Sequence, residues 1–396
     1  MYIAILGRQP AISIAELERV YKKARWFSEE TALVESDHFY IDQLGGTQKA
    51  GKIIKQLPRG DWRQVSMEIV KLYSKSWATY DGKITLGLSA YGFNVSPRDV
   101  QKTGLILKAK LKSATASLRL IPNQEAALNT AASHHNKLGL SDNKVELIVV
   151  KGKDGSVVVA ESVGAQNITA LAARDQGRPK RDAFVGMLPP KLAQIMINLT
   201  GLDKGLVLDP FCGTGVILQE ALLMGYDVHG TDLAPKMIEF TEKNIKWFAE
   251  KYPHAVKGRS AEWAIGDATE TTWVSQESGK PKPLTIDAVA SETYLGQPFS
   301  APPSPAKLTE VRGNCNHIIS GFLKNLGKQI RPGTPLCLAV PAWKDANGGF
   351  THLPLIGKLK ELGYTRVPFE TINHDELLYF RPDQVVAREL LVLTKD

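Results

Sequence analysis

The chain has 396 residues, 43% of them hydrophobic, with 49 lysines and arginines against 41 aspartates and glutamates for a formal charge of +8. That length exceeds what one core usually serves, so two or three domains are expected, and the composition is that of a globular chain rather than a disordered or fibrous one. No apolar run reaches the length of a membrane span, and the start, MYIAIL, is too short for a signal-peptide core, so the expected compartment is the cytoplasm.

Taken in chain order, residues 2–6 read as a strand. A helix is expected over SIAELERVYKKA, with Ser13 as N-cap and Glu16 completing a capping box. Residues 45–80 carry mixed helix signals, among them DWRQVSMEIVKLYSKSW. Strands are expected at 84–91, 116–121, 144–152 and 156–162, with helices over 98–112 and over QEAALNTAASHHNKLG. RDQGRPKRDAFVGMLPP, 174–190, is rich in Arg, Gly and Pro and reads as a linker. A helix ending at Gly201 follows. Strand and helix patterns then alternate at 205–209, 214–224, 226–231, 235–250, 262–266, 285–290, 316–330, 335–340 and 352–362, the order of a doubly wound, mostly parallel sheet. ELLYF, RPDQ and VVARELLVL close it with a hairpin. Residues 274–284 and 300–307 read as loops.

Charge is unevenly placed. Residues 96–151 contain nine Lys and Arg against four acids, Asp99, Glu125, Asp142 and Glu146. The cluster fits a nucleic-acid surface centred on Lys102, Lys108, Lys110 and Lys112, or equally a solvated helix face. The three cysteines, Cys212, Cys315 and Cys337, are far apart and form no C-x-x-C pair, which argues against a disulfide framework or a zinc site. His134 and His135 are adjacent and point to different sides of a helix, so no metal site is expected there.

The most informative stretch is LVLDPFCGTGVILQEALLMG, 206–225, an apolar strand, a glycine-rich turn and a helix. Gly213 and Gly215 let the backbone turn sharply and approach a ligand, and the helix start offers N–H groups to an anion. The third glycine position of a dinucleotide fingerprint is Leu218, and Asp209 would repel a pyrophosphate. A carboxylate there suits a ligand carrying an ammonium and a sulfonium, which points to S-adenosylmethionine (SAM). Two further strands end in acids: Asp232, placed for ribose hydroxyls, and Asp267, placed for the adenine amino group. The expected cofactor set is Asp209, Phe211, Gly213, Thr214, Gly215, Asp232, Leu233, Asp267 and Ala268. Cys212 reads as a small turn residue rather than a nucleophile.

On these residues the chain resembles known enzymes. DPFCGTG resembles motif I of the class I methyltransferases that modify exocyclic amino groups. RDQGRPKRDAFVGMLPPKLAQIMINL resembles the segment preceding it in the tRNA guanosine-10 N2-methyltransferases, and residues 84–175 resemble a THUMP domain. The resemblance implies an α/β chain in which an α+β ferredoxin-like domain (1–80) and a THUMP-like RNA-binding domain (81–173) precede a linker (174–190). A Rossmann-like SAM-dependent methyltransferase domain (191–396) then follows. It implies tRNA as partner and leaves open a small activator subunit. Arg174, Arg178 and Arg181 in the shared segment either grip phosphates or the cofactor carboxylate, or fix the domain junction.

Enzymes of this kind place Asp/Asn-Pro-Pro-aromatic after the fourth strand, whereas this chain reads SETYLG. Aligned without a gap, Glu292 takes the acidic place and Leu295 the aromatic one; shifted by one, Ser291 is the acceptor and Tyr294 the stacking ring. The expected pair is Glu292 as acceptor for the amino N–H with Tyr294 as base platform, since that keeps a carboxylate and an aromatic. Trp343, at a strand end, packs in the core or lines the base pocket. The expected activity is methyl transfer from SAM to guanosine N2 in tRNA. The alternatives are DNA or rRNA amino-methylation, or RNA binding by an inactive methyltransferase domain, for which the altered motif is the argument.

Overall fold

The computed structural model describes residues 1–112, 114–182, 187–275, 281–299, 301–345 and 348–396. The chain divides into two compact units, Met1–Ala170 and Leu171–Asp396.

The first unit contains β1 (Tyr2–Leu6), α1 (Pro10–Tyr21), β2 (Ala24–Ser28), β3 (Thr31–Val34), β4 (Thr47–Leu57) and α2 (Trp62–Ser76). It continues with β5 (Gly82–Tyr91), α3 (Pro97–Lys110), β6 (Ala116–Leu120), α4 (Thr130–His135), β7 (Lys144–Lys151) and β8 (Val157–Ala165). All eight strands form one sheet in the order β2-β3-β1-β4-β8-β7-β5-β6. The long strand β4 pairs with β1 on one side and β8 on the other, so the expected boundary between residues 80 and 81 falls inside one compact unit. Val65 and Ile69 of α2 and Val100 and Leu107 of α3 fill a core with Ile84, Leu86, Leu147 and Val149.

Helix α1 corrects the sequence reading. Pro10 occupies its first turn, where a missing N–H costs nothing, and Gln9 is the N-cap. Ser13 therefore lies inside the helix, donating to the Gln9 carbonyl at 3.0 Å. Glu16 does not cap; it is buried and accepts from the Gly45 and Gly46 N–H groups at 2.9 and 2.8 Å. The helix expected over residues 124–139 shrinks to Thr130–His135.

In the second unit, α5 (Ile168–Gln176) runs across the unit boundary. It is followed by α6 (Pro190–Thr200), β9 (Leu206–Asp209), α7 (Val216–Leu223), β10 (Asp227–Asp232), α8 (Pro235–Lys251), α9 (Pro253–Val256) and β11 (Ala261–Ile265). Next come β12 (Val274–Ser275), β13 (Lys282–Pro283), β14 (Ala288–Glu292), α10 (Pro305–Leu326), β15 (Pro335–Lys344), β16 (Phe350–Thr351), β17 (Tyr364–Arg366), β18 (Leu378–Tyr379) and β19 (Val386–Lys395). The main sheet runs β11-β10-β9-β14-β15-β19-β17. Its first five strands are parallel and β19 is antiparallel to both neighbours, the mixed α/β architecture expected from sequence. Residues 352–362 form only short 3-10 turns.

Two helix ends follow from local chemistry. Gly201 caps α6 with φ +69°, a conformation that favours glycine. Ser304 caps α10 by accepting from the Lys307 N–H, with Pro305 in the first turn, so this helix begins eleven residues before the expected position 316. From β9 the chain winds outward through β10 and β11, then returns to β14. That reversal opens a crevice at the carboxyl ends of β9 and β14, where α/β sheets bind their ligands.

Candidate active site

A cavity of about 820 Å³ occupies that crevice. Its wall is built from the ends of four neighbouring strands: Asp209 of β9, Asp232 of β10, Asp267 just beyond β11 and Glu292 of β14. Phe211, Gly213, Thr214, Leu233 and Ala268 also line it, so eight of the nine residues expected to bind cofactor meet in one place. Gly215 is the exception. With φ +80° it starts α7, and a Cβ there would come within 3.1 Å of Thr241, so its role is to let α7 and α8 approach.

The turn is held by the acids themselves. The Gly213 and Ala234 N–H groups each donate to Asp232, at 2.9 Å. Asp267 Oδ1 accepts from the Thr269 N–H at 2.8 Å and its hydroxyl at 2.7 Å, which fixes the loop after β11. Gly213 has φ +52°, and a Cβ there would meet nothing closer than the Phe211 carbonyl oxygen at 4.0 Å. It would stand in open space on the cavity wall, where a ligand must come close to backbone.

Asp209 is buried, and loss of hydration raises its pKa to about 7 even though it accepts from Ser291 Oγ at 2.6 Å. Burial also raises Asp232 above the ordinary carboxylate range. No cation among the described residues forms an ion pair with Asp209. A buried carboxylate facing a cavity is a receptor for a ligand's ammonium. The open glycine and the three strand-end acids therefore fit SAM. Burial drives the Cys212 thiol well above its usual pKa, which disarms it as a nucleophile.

Strand alternation sends the two candidate acceptors of the altered motif to different surroundings. Adjacent residues on β14 point to opposite faces. Ser291 is fully buried and spends its hydroxyl on Asp209, so it does not face the cavity as a base acceptor. Glu292 does line the cavity, as does Tyr294, which is 40% exposed. The Arg388 Nε–H of β19 donates to Glu292 Oε1 in an ion pair, which leaves Oε2 without a partner among the described residues. Arg388 is a residue the sequence could not indicate, because only the β14-β15-β19 order brings it to Glu292. Asn314, His317, Ile318 and Gly321 of α10 also line the cavity. His317, Ile318 and Gly321 fall in the helix expected over 316–330, but which of its faces meets the cavity depends on distant packing. Asn314 precedes that expected start because SAPPSPAK read as loop, although Ser304 before Pro305 is a usable helix start.

Trp343 lies in the core cluster of this unit, 1% exposed, not in the cavity. Two arginines need correction. Arg174 donates to Glu220 twice, Nε at 2.6 Å and Nη2 at 3.1 Å, and is buried. Arg178 is also buried, within 3.5 Å of Asp175. Neither offers its charge at a surface where a phosphate could reach it; both act inside the fold. Arg181 is exposed. Residues 183–186 of the same segment lie outside the described residues.

In the first unit, Lys102, Lys108 and Lys110 on α3 and Lys112 just after it are all exposed. No ion pair among the described residues involves them. The opposite face of α3 is buried through Val100, Thr103, Gly104 and Leu107, the spacing of an amphipathic helix. No helix among the described residues is long and apolar enough to cross a membrane.

Comparison with known proteins adds the following. The family model N6_N4_Mtase, described as DNA methylase, matches residues 24–243. A tRNA (guanine(10)-N2)-dimethyltransferase from Methanothermobacter thermautotrophicus is 27% identical over 174 residues, 43% of this chain and 44% of that protein. One from Pyrococcus abyssi is 36% identical over 115 residues, 29% of this chain and 30% of the relative. The chain thus aligns with less than half the length of either. The crystal structure of TrmN from Thermus thermophilus is similar over 100% of this chain and 99% of its own, with TM-score 0.52 and 15% identity, a likeness of fold.

Proposed function

The chain belongs to the N6_N4_Mtase family, described as DNA methylase, and from that premise we propose that it is a SAM-dependent tRNA methyltransferase acting on the exocyclic N2 amino group of guanosine. The observation that carries this reading is the meeting of two half-sites in one cavity. One half is the cradle of Asp209, Gly213, Asp232 and Asp267; the other is the carboxylate and ring of Glu292 and Tyr294. Two relatives are named tRNA (guanine(10)-N2)-dimethyltransferases, which supports RNA over DNA and guanine over adenine.

When bound, the cofactor would supply an electrophilic methyl group, its sulfonium departing as a neutral thioether. Asp209 would hold its ammonium, Asp232 its ribose and Asp267 its adenine, with Leu233 and Ala268 beside the adenine. The target amine is a poor nucleophile because its lone pair is delocalised into the base. Glu292 accepts a hydrogen bond from the amino N–H, which turns the lone pair outward, and takes the proton released as the N–C bond forms. Arg388 fixes that carboxylate so that its orientation costs no reorganisation in the transition state. Tyr294 stacks on the flipped base.

The THUMP-like segment, residues 81–173, nearly all of it in the first unit, binds the folded RNA by backbone and shape through Lys102, Lys108, Lys110 and Lys112. Labelled methyl transfer to total tRNA and to duplex DNA tests the assignment. Label in tRNA alone is expected, and label in DNA alone would favour a DNA methylase. Glu292→Ala is expected to lower turnover by about a hundredfold or more while SAM affinity by calorimetry stays unchanged. A near-normal Glu292→Ala would remove the carboxylate from the reaction.

A further inference from the structure

The cavity has a wall that cofactor binding does not use. Asn314, His317, Ile318 and Gly321 lie at intervals of three, one and three residues on α10, so they form a single stripe along one helix face. Two glycine contacts orient that stripe. At Gly321, an added Cβ would come within 3.3 Å of the Thr269 side chain, so this end of the helix lies against the loop that follows Asp267. At Gly296, an added Cβ would come within 2.7 Å of Val311 and 3.3 Å of Cys315, so the earlier part of α10 lies against the loop that follows Tyr294.

The stripe therefore runs from the substrate half of the cavity to the cofactor half. Its chemistry changes along the way. Ile318 and Gly321, apolar and small, face the cofactor half. Asn314 and His317, each able to donate and accept, face the half that holds Glu292 and Tyr294. Both are exposed and neither has a hydrogen bond or ion pair among the described residues. A helix that packs Val311, Cys315, Ile319 and Phe322 into the core has no structural need for a polar pair on its cavity side.

We propose that Asn314 and His317 read the base, donating hydrogen bonds to O6 of guanine while Glu292 holds the N2 amine. This rests on the guanosine-N2 reading and adds the residues that set its specificity. Adenine carries an amino donor where guanine carries O6, so two donors at that edge accept one base and oppose the other. A site built to bond a polar group discriminates against an analogue that lacks it, because donors covered by the bound base are then left unpaired.

The test uses 2-aminopurine, which keeps the 2-amino group and lacks both O6 and the N1 hydrogen. Synthetic tRNA carrying guanosine or 2-aminopurine at the modified position is given to the wild type, to Asn314→Ala, to His317→Ala and to the double variant. The wild type is expected to prefer guanosine in kcat/KM. Each single change should lower kcat/KM on guanosine roughly tenfold to a hundredfold and change 2-aminopurine by less than about threefold, so the preference collapses. SAM affinity by calorimetry should be unaltered, which establishes that the cavity is intact. Equal losses on both RNAs, or an unchanged preference in the double variant, would overturn the proposal. Failure of the wild type to methylate either RNA would instead overturn the guanosine-N2 reading.

Discussion

In the first unit Lys49 Nζ lies 2.6 Å from Glu146 Oε1, with both side chains almost completely buried and Ser89 Oγ donating to the same oxygen at 2.6 Å. In the second unit Asp209 is equally buried, but its partners are a hydroxyl and one backbone N–H, and it faces a cavity. The first arrangement carries its own counter-charge. The second lacks one, and loss of hydration raises its pKa to about 7. A buried charge that is already neutralised holds a fold together; one left without a cation at the mouth of a crevice is held ready for a ligand.

The largest expected effect lies in the first unit. Lys49→Met strands the Glu146 carboxylate and should cost about 3–5 kcal/mol of stability, read from the urea midpoint, while a paired Glu146→Leu change recovers most of it. A loss below about 1 kcal/mol would make the pair incidental. Asp209→Asn should behave in the opposite way. It relieves an unfavourable burial, so stability holds or rises. SAM affinity falls by about 1.5–3 kcal/mol, because a charged acceptor for the ammonium is gone. An Asn variant that binds SAM normally would break the contrast.

The contrast also predicts two pH dependences of opposite sign. The folded pKa of Asp209, about 7, lies above its ordinary 3.8. Between those values the native state binds more protons than the unfolded chain, so this group's contribution to stability falls as pH rises from about 4 to about 7. SAM binding needs the ionised form. Affinity should therefore weaken as pH falls below about 7, by up to about tenfold per unit, and level off above it. Calorimetry across pH 5.5–8.5 checks this, and Asp209→Asn should flatten the curve. A wild-type affinity independent of pH would separate Asp209 from the ammonium.

Much of the second unit is legible in the sequence because its signals are local. DPFCGTG places strand, turn and helix within ten residues, and each strand-end acid is readable from its own apolar run. What eluded the sequence depends on distant pairing. Arg388 reaches Glu292 only through β15, and the choice between Ser291 and Glu292 turns on which face of β14 is buried. The first unit was harder. Its strands β2, β3 and β4 went unrecognised; β4 passes from a mostly buried run at 47–51 to alternating exposed and half-exposed residues at 52–57, with lysines throughout, so no single face of it is marked as apolar. Glu16 resembled a capping residue because spacing cannot reveal that Gly45 and Gly46 fold back onto it.

The smallest effect concerns the basic helix. If about four phosphates are contacted, the slope of log affinity against log salt for tRNA should be roughly −3. Neutralising Lys108, Lys110 and Lys112 together should flatten it. A slope unmoved by that change would place the RNA on another surface.

The central claim is tested most directly by the identity of the product. tRNA incubated with the enzyme and labelled SAM is digested to nucleosides and analysed by mass spectrometry. The account predicts label in N2-methylguanosine, abolished in Glu292→Ala. Label in N6-methyladenosine, with none in N2-methylguanosine, would contradict it while leaving the cofactor cradle in place.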